Sequence, residues 1–222
     1  YVAGGKGKPQ TVPIGKDGSQ TAPTNPLFSL QLTPSLQKEW VRLPDFPGPA
    51  RVQPVLTAQQ SEDGIRLYRA GGFQPASAHQ EAIVCTEMLS YHPKTKQWRN
   101  EGFLPSLAGG SHRTVTGGCA IASGDSSILL VGGVNYDRFR DALNYPEPDY
   151  LLHPADWYKF NTSLLQYNTF TKHWTHLGNY EELARAGAGI ANNANTVIII
   201  GGELKPGIRT PEVNAFKLTR HP

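Results

Sequence analysis

The sequence predicts an all-β chain built from repeated four-stranded sheets, and three observations predict it. Gly (23) and Pro (18) are abundant among 222 residues while hydrophobic residues make up 38%, a balance that suits short strands joined by turns. An apolar run closed by Gly-Gly occurs four times: YVAGG ending at Gly5, LYRAGG at Gly72, ILLVGG at Gly133 and VIIIGG at Gly202, at intervals of 67, 61 and 69 residues. Downstream of the first three copies an apolar run leads to a tryptophan, at Trp40, Trp98 and Trp174. In the last two a tyrosine, Tyr91 or Tyr167, stands seven residues earlier.

Each unit reads as four strands. A small-residue strand (Val52–Leu56, Thr114–Ala122, Ala186–Ala191) leads into the strand that ends in Gly-Gly. In the last copy this is the β-branched run Val197–Ile200, suited to a strand buried on both faces. A Tyr-bearing strand follows, then a turn (HPKTKQ before Trp98, NTFTKH before Trp174), then the Trp-bearing strand. Gly124-Asp125 and Asn193 with Asn195 mark the turns into two of the Gly-Gly strands. A lone four-stranded sheet exposes two faces; a ring of them buries the faces and hides most strand edges. Trp40, Trp98, Trp174, Tyr91 and Tyr167 read as packing between sheets, and Gly-Gly as the place where backbones approach closely.

The order Gly-Gly, Tyr, Trp resembles the kelch β-propeller. Kelch repeats run near 50 residues, so the longer intervals here require insertions, at Lys6–Asn25, Phe73–Gln80 and Asn135–Asn161. The last is aromatic and charged, with a short helix expected at Ala155–Phe160. Blade-like units fall at approximately 1–48, 49–110, 111–182 and 183–222, about three and a half blades in one propeller domain, below the four to eight of a closed ring. The chain is therefore expected to be part of a longer one.

Composition and motifs exclude several classes. The net charge is +3 and the basic residues are scattered, so nucleic acid is not implied. No run has the apolar length of a membrane-spanning helix. Cys85 and Cys119 lie in apolar strands without metal-ligand spacing and read as buried thiols. Phosphate-loop, zinc and nucleophile-elbow motifs are absent. His153, His173 and His176 form no liganding pattern. Asn161-Thr162-Ser163 matches a glycosylation sequon. The chain opens at Tyr1, inside a strand, so the lack of a leader says nothing about targeting.

What remains is chemistry at strand ends. Glu203, Lys205 and Arg209 sit in the loop after the last Gly-Gly, with Pro206-Gly207 as a turn between them. The Asn135–Asn161 insertion follows the preceding Gly-Gly, so both loops should open on one face. Glu203 suits general acid–base work and Arg209 two parallel hydrogen bonds to a carboxylate. Lys205 adds positive potential. Asn135, Tyr136, Arg138 and Tyr158 suit hydrogen bonding to, or stacking on, a sugar, and Arg113 joins the sugar-contacting set.

GGELKPGIRTPEV (Gly201–Val213), with ILLVGGVN (Ile128–Asn135) and DWYKFNTSLLQYNTFTKHW (Asp156–Trp174), is similar to the bacterial N-acetylneuraminate epimerases, six-bladed kelch propellers. The likeness is closest over Ile128–Leu218, and the opening YVAGGKGK is similar to a late blade of that family, as in circularly permuted members. The resemblance implies a sialic acid mutarotase, an isomerase interconverting the α and β anomers of N-acetylneuraminate by ring opening and reclosure. It assigns Glu203 as proton acceptor and Arg209 to the sugar carboxylate. Tyr136, His112 or water would supply the second acid or base. No metal or organic cofactor is required. It implies a periplasmic or secreted protein of carbohydrate metabolism whose partner is a small acidic sugar; a homodimer is compatible with it. The other reading is a non-catalytic kelch propeller binding a glycan or a protein through the same face.

Overall fold

A computed structural model describes residues 1–3, 27–30, 40–107, 109–193 and 195–218. Gly5 and the Lys6–Asn25 insertion lie outside them. Four antiparallel sheets follow one another along the chain. The first joins β1 (Val2–Ala3), β2 (Leu27–Leu30) and β3 (Trp40–Leu43) in that order. The second is built from β4 (Val55–Ser61) and β5 (Gly64–Ala70); a small hairpin, β6 (Phe73–Gln74) with β7 (Ile83–Val84), precedes its remaining strands β8 (Glu87–His92) and β9 (Gln97–Phe103). The third pairs β10 (Cys119–Ser123) and β11 (Ser127–Val131) with β12 (Ser163–Asn168) and β13 (Trp174–Asn179). Helix α1 (Tyr136–Asn144) lies in the insertion between β11 and β12. The fourth has the order β14 (Gly189–Asn193), β15 (Thr196–Ile200), β18 (Val213–Lys217), with the hairpin β16 (Glu203–Lys205) and β17 (Ile208–Arg209) between its last two strands.

The sheets stack face to face, as their alternating apolar residues demand. Val55, Tyr68 and Met88 of the second sheet pack on Ile128, Leu130 and Tyr167 of the third. Cys119, Leu129 and Leu164 of the third pack on Val197 and Ile199 of the fourth. Leu27 of the first joins Leu67 and Tyr91 of the second. The first strands β4, β10 and β14 lie side by side.

Tyr and Trp share a rung: Tyr91 opposes Trp98 and Tyr167 opposes Trp174, with ring centroids 5.0 and 4.8 Å apart. Both tyrosines are fully buried, and the Trp98 indole donates to the Pro44 carbonyl of the neighbouring unit. Trp40 differs from expectation. It sits on the same rung of its own sheet, but opposite Leu30, and is 54% exposed; without a tyrosine to cover it, the indole stays at the surface. Both thiols are free and buried, and burial pushes each up to about 11, so neither is a reactive thiolate at neutral pH.

The small-residue strands begin later than the sequence suggests, at Val55, Cys119 and Gly189. Each is preceded by a left-handed step, at Gln53, Gly117 and Gly187, and these steps are linked: Gly117 N–H donates to Gln53 O at 3.0 Å and Gly187 N–H to Gly117 O at 2.6 Å. Gly132 shows why the motif needs glycine. A Cβ there would stand 2.6 Å from the Arg185 carbonyl oxygen, inside van der Waals contact.

A second tie between sheets is polar. The Glu101 carboxylate, its side chain 3% exposed, accepts from Ser90 Oγ, Arg99 Nε (2.8 Å) and, across the gap, Tyr167 OH (3.0 Å). Burial pushes its pKa up, but the bonds from Ser90, Arg99 and Tyr167 prevail and hold it below the usual value. Nearby, hydrogen bonds from Arg66 and Ser61 hold Asp63 well below the usual carboxylate range. Both folded-state values are depressed, so their stabilisation is present above the unfolded carboxyl pKa near 4 and is lost as pH falls through the folded values. Urea unfolding between pH 6 and pH 2 should therefore show stability declining from about pH 4 downward, with a shallower decline in Glu101→Gln. The exposed and covered indoles should also separate: Trp98→Ala should cost ~2–4 kcal/mol and Trp40→Ala under ~0.5 kcal/mol in the same assay.

Candidate active site

The site is built on a repeated backbone contact. The residue after each of the last three Gly-Gly pairs bonds to the residue just ahead of the first strand of a sheet. Phe73 and Val52 exchange two bonds (3.0 and 2.9 Å), Val134 N–H donates to Thr116 O (3.0 Å), and Glu203 and Ala186 exchange two (2.7 and 2.9 Å). Glu203 is thus fixed at the entrance of β14. The next residues form the β16–β17 hairpin, turned at Pro206-Gly207, in which Glu203 and Arg209 face each other. Arg209 Nε donates to Glu203 Oε1 at 3.3 Å, with the side chains 32% (Glu203) and 80% (Arg209) exposed. Such an exposed pair is weak and exchangeable.

The two loops expected to share a face do touch. Lys205 Nζ donates to the carbonyls of Leu151 (3.2 Å) and His153 (2.6 Å) in the insertion. This lysine, expected to lend positive potential to a ligand, acts as a tether between the segments. Asn135 caps α1, its Oδ1 accepting from Arg138 N–H at 3.0 Å, so that oxygen is engaged within the chain. Tyr136 packs edge-on against His112, and the Arg138 guanidinium lies 4.3 Å from the centre of the Trp157 ring, on which His153 also stacks. Tyr158, read from the sequence as a sugar-facing group, is buried and donates to the Tyr150 carbonyl. The expected helix at Ala155–Phe160 is a 3-10 turn at Ala155–Tyr158, and α1 went unforeseen. Its signals are the Asn135 cap and Phe139, which packs on Phe73 with ring centroids 5.0 Å apart. A cleft of about 790 Å³ opens among Leu107, Asn135, Asp156, Lys159, Asn161 and Leu204, so it reaches from the insertion to the hairpin. Glu147, Asp149 and His153 place ligand atoms within 4.8 Å of one another on the insertion, a grouping that could hold a cation and that sequence spacing concealed.

Sequence reading also missed two buried arginines. Arg51 Nη1 donates to Gly71 O (3.2 Å) and its Nη2 pairs with Glu87; Arg185 Nη1 donates to Gly201 O (3.1 Å) and its Nη2 pairs with Glu212. Their shared place, the residue before the pinned Val52 or Ala186, emerges only when the units are aligned by their hydrogen bonds. The third sheet solves the same problem differently. Val115 holds the arginine position, Ser163 the glutamate position, and Asn161 Nδ2 bonds Gly132 O (3.2 Å), Thr114 O (2.7 Å) and Val134 O (3.0 Å). The Asn161 amide is therefore committed to the fold and closed to a glycan in the folded chain. Arg113 is buried, with Nε donating to Pro105 O at 3.0 Å. Replacing Lys205 with Met should free the insertion while leaving the sheets intact: limited proteolysis should cut within residues 145–155 at least ~10-fold faster, with the unfolding midpoint little changed.

Comparison with known proteins places this geometry. Residues 10–221 match the model of the N-acetylneuraminate epimerase family. The N-acetylneuraminate epimerase of Pasteurella multocida (strain Pm70) is 27% identical over 216 residues, covering 90% of this chain and 52% of that protein. That of Haemophilus influenzae (strain PittEE) is 30% identical over 192 residues, covering 82% and 48%. A solved structure titled "Structure of YjhT", a kelch-type propeller, superposes with a TM-score of 0.70 at 27% identity, over 88% of this chain and 56% of that one. The chain spans about half the length of the curated relatives it matches. Its repeated antiparallel sheets are those of a kelch-type β-propeller, and the chain belongs to the N-acetylneuraminate epimerase family.

Proposed function

We propose that the protein is a sialic acid mutarotase, an isomerase that interconverts the α and β anomers of N-acetylneuraminate. The observation that carries this reading is the placement of Glu203. Its backbone is held to Ala186 at the entrance of β14, and the Arg209 guanidinium stands across the hairpin from its carboxylate. Among the described residues Oε2 has no hydrogen-bond partner, so that oxygen is left to move a proton. Family membership supplies the substrate class.

In this mechanism Glu203 takes the proton of the anomeric hydroxyl as the bond between ring oxygen and anomeric carbon breaks, giving the open keto form. The departing ring oxygen takes a proton from the second acid (Tyr136, His112 or water), and reclosure on the other face of the carbonyl reverses both transfers. Arg209, opposite Glu203 on the hairpin, suits the carboxylate beside the anomeric carbon, and fixing that group orients the reacting carbon. The blade-like units near 1–48, 49–110, 111–182 and 183–222 belong, on this reading, to one six-bladed ring in a periplasmic or secreted protein.

The test is NMR exchange between the anomers of N-acetylneuraminate. Wild-type protein should accelerate exchange above the solvent rate, and Glu203→Gln should lower that acceleration by ~10²-fold or more, the usual size of a general acid–base contribution. Equal acceleration by wild type and Glu203→Gln would remove the mechanism.

A further inference from the structure

The acid–base chemistry leaves one cavity unused. Asn135, Asp156, Lys159, Phe160, Asn179 and Leu204 line the cleft of about 790 Å³; Glu203 and Arg209 do not. Local backbone geometry builds its rim. Lys159, the residue after the 3-10 turn, adopts a left-handed conformation (φ 50°), and its N–H donates to Asp156 O at 3.2 Å. The adjoining backbone is fixed as well. Asn161 N–H donates to Gly133 O (2.9 Å) and Tyr180 N–H to Thr162 O (2.8 Å), while the Asn161 amide serves three further carbonyls. The cleft is therefore preformed, and its size falls within the ~300–1,000 Å³ of small-molecule sites.

The groups on its surface match a hydroxylated ring. Two carboxamides have their oxygens engaged by the chain: Asn135 Oδ1 accepts from Arg138 N–H at 3.0 Å, and Asn179 Oδ1 from Ser163 Oγ at 2.9 Å. Those bonds orient both amides, and among the described residues each Nδ2 is left without a partner. Asp156 offers acceptors and Lys159 a further donor; both are exposed, and among the described residues neither side chain is hydrogen-bonded or ion-paired. Half-buried Phe160 adds an aromatic surface for the C–H face of a sugar. Charge argues against an anionic ligand. Asp156 and Glu181 both line the cleft and oppose the single cation Lys159, so an acid would meet net repulsion.

We propose that this cleft is a second carbohydrate site, which binds a neutral pyranose. Asp156 accepts from one ring hydroxyl, the Asn135 and Asn179 amides donate to others, and Phe160 packs on the apolar face of the ring. A hydroxyl both donates and accepts, so one sugar satisfies the carboxylate and the two amides together. The site is separate from the Glu203–Arg209 pair and does not rest on the mutarotase reading.

The test is NMR titration with the methyl glycosides of glucose, galactose, mannose and N-acetylglucosamine, and with that of glucuronic acid as the charged control. Locked as glycosides, these sugars cannot interconvert their anomers, so binding is read apart from catalysis. At least one neutral glycoside should bind wild type with a Kd of ~10 mM or tighter and shift the backbone N–H signals of Asp156 and Lys159; the glucuronide should bind more weakly. Asp156→Asn should weaken binding ~10-fold, the loss of a hydrogen bond to a charged acceptor. Asn179→Asp keeps the oxygen that Ser163 bonds but removes the amide donor, and should weaken it ~5-fold. Both side chains are exposed, so both variants should fold, and Asp156→Asn should retain anomer exchange of N-acetylneuraminate. No binding of any neutral glycoside at ~50 mM, affinity unchanged in either variant, preference for the glucuronide, or anomer exchange lost in Asp156→Asn would overturn the assignment. A wild type that binds a neutral glycoside but does not accelerate anomer exchange would remove the mutarotase reading alone and leave this site standing.

Discussion

The hydrogen bonds between the residue after each of the last three Gly-Gly pairs and the residue ahead of a first strand govern what this face of the protein can do. They occur at Phe73, Val134 and Glu203. Because they involve only backbone, they set position and leave the side chain unconstrained. Two sheets use that freedom for apolar residues and the fourth for a carboxylate. Glu203 thus receives its placement from a contact the fold makes in any case, which is how a rigid scaffold holds a side chain with little cost in ordering. The hairpin that follows adds Arg209 one rung across, and Lys205 fastens the long insertion beside them.

Holding the mouths together requires that buried glycine carbonyls find donors, since an unpaired buried carbonyl is costly. Arg51 and Arg185 meet the need with a charged side chain that in turn requires an acid; Asn161 meets it with a neutral amide that serves three carbonyls at once. At Tyr167, hydrophobic packing and the Glu101 carboxylate join the second and third sheets through one side chain.

The repeat was plain in the sequence because it is local and periodic: Gly-Gly closes β-branched or aliphatic runs, and Tyr and Trp stand one turn apart on paired strands. Trp40 was misread as core because the packing reading was carried to all three tryptophans alike, although its unit lacks the tyrosine seven residues earlier and sets Leu30 opposite the indole. The start of the strand at Val55 was misplaced because the left-handed step at Gln53 occurs in a residue that rarely adopts it. For the site, the pairing of Glu203 with Arg209 could be anticipated from a turn between charges. The engagement of Lys205 and Tyr158 with the insertion could not, since it depends on contacts across some 50 residues and on an aromatic cluster without a simple period. Arg51 and Arg185 escaped notice because each looks like an ordinary loop arginine until the units are aligned by their hydrogen bonds rather than by their glycines.

The two ways of satisfying the Gly-Gly carbonyl differ at three positions: arginine against Val115, glutamate against Ser163, and Cys85 or Thr210 against Asn161. A single exchange at any of them strands a buried charge or leaves a carbonyl bare, so intermediates between the two arrangements are penalised. Mutational drift should therefore change these positions as a set, and within the family a blade's inheritance should be traceable by which trio it carries, even where the rest of its sequence has diverged beyond alignment.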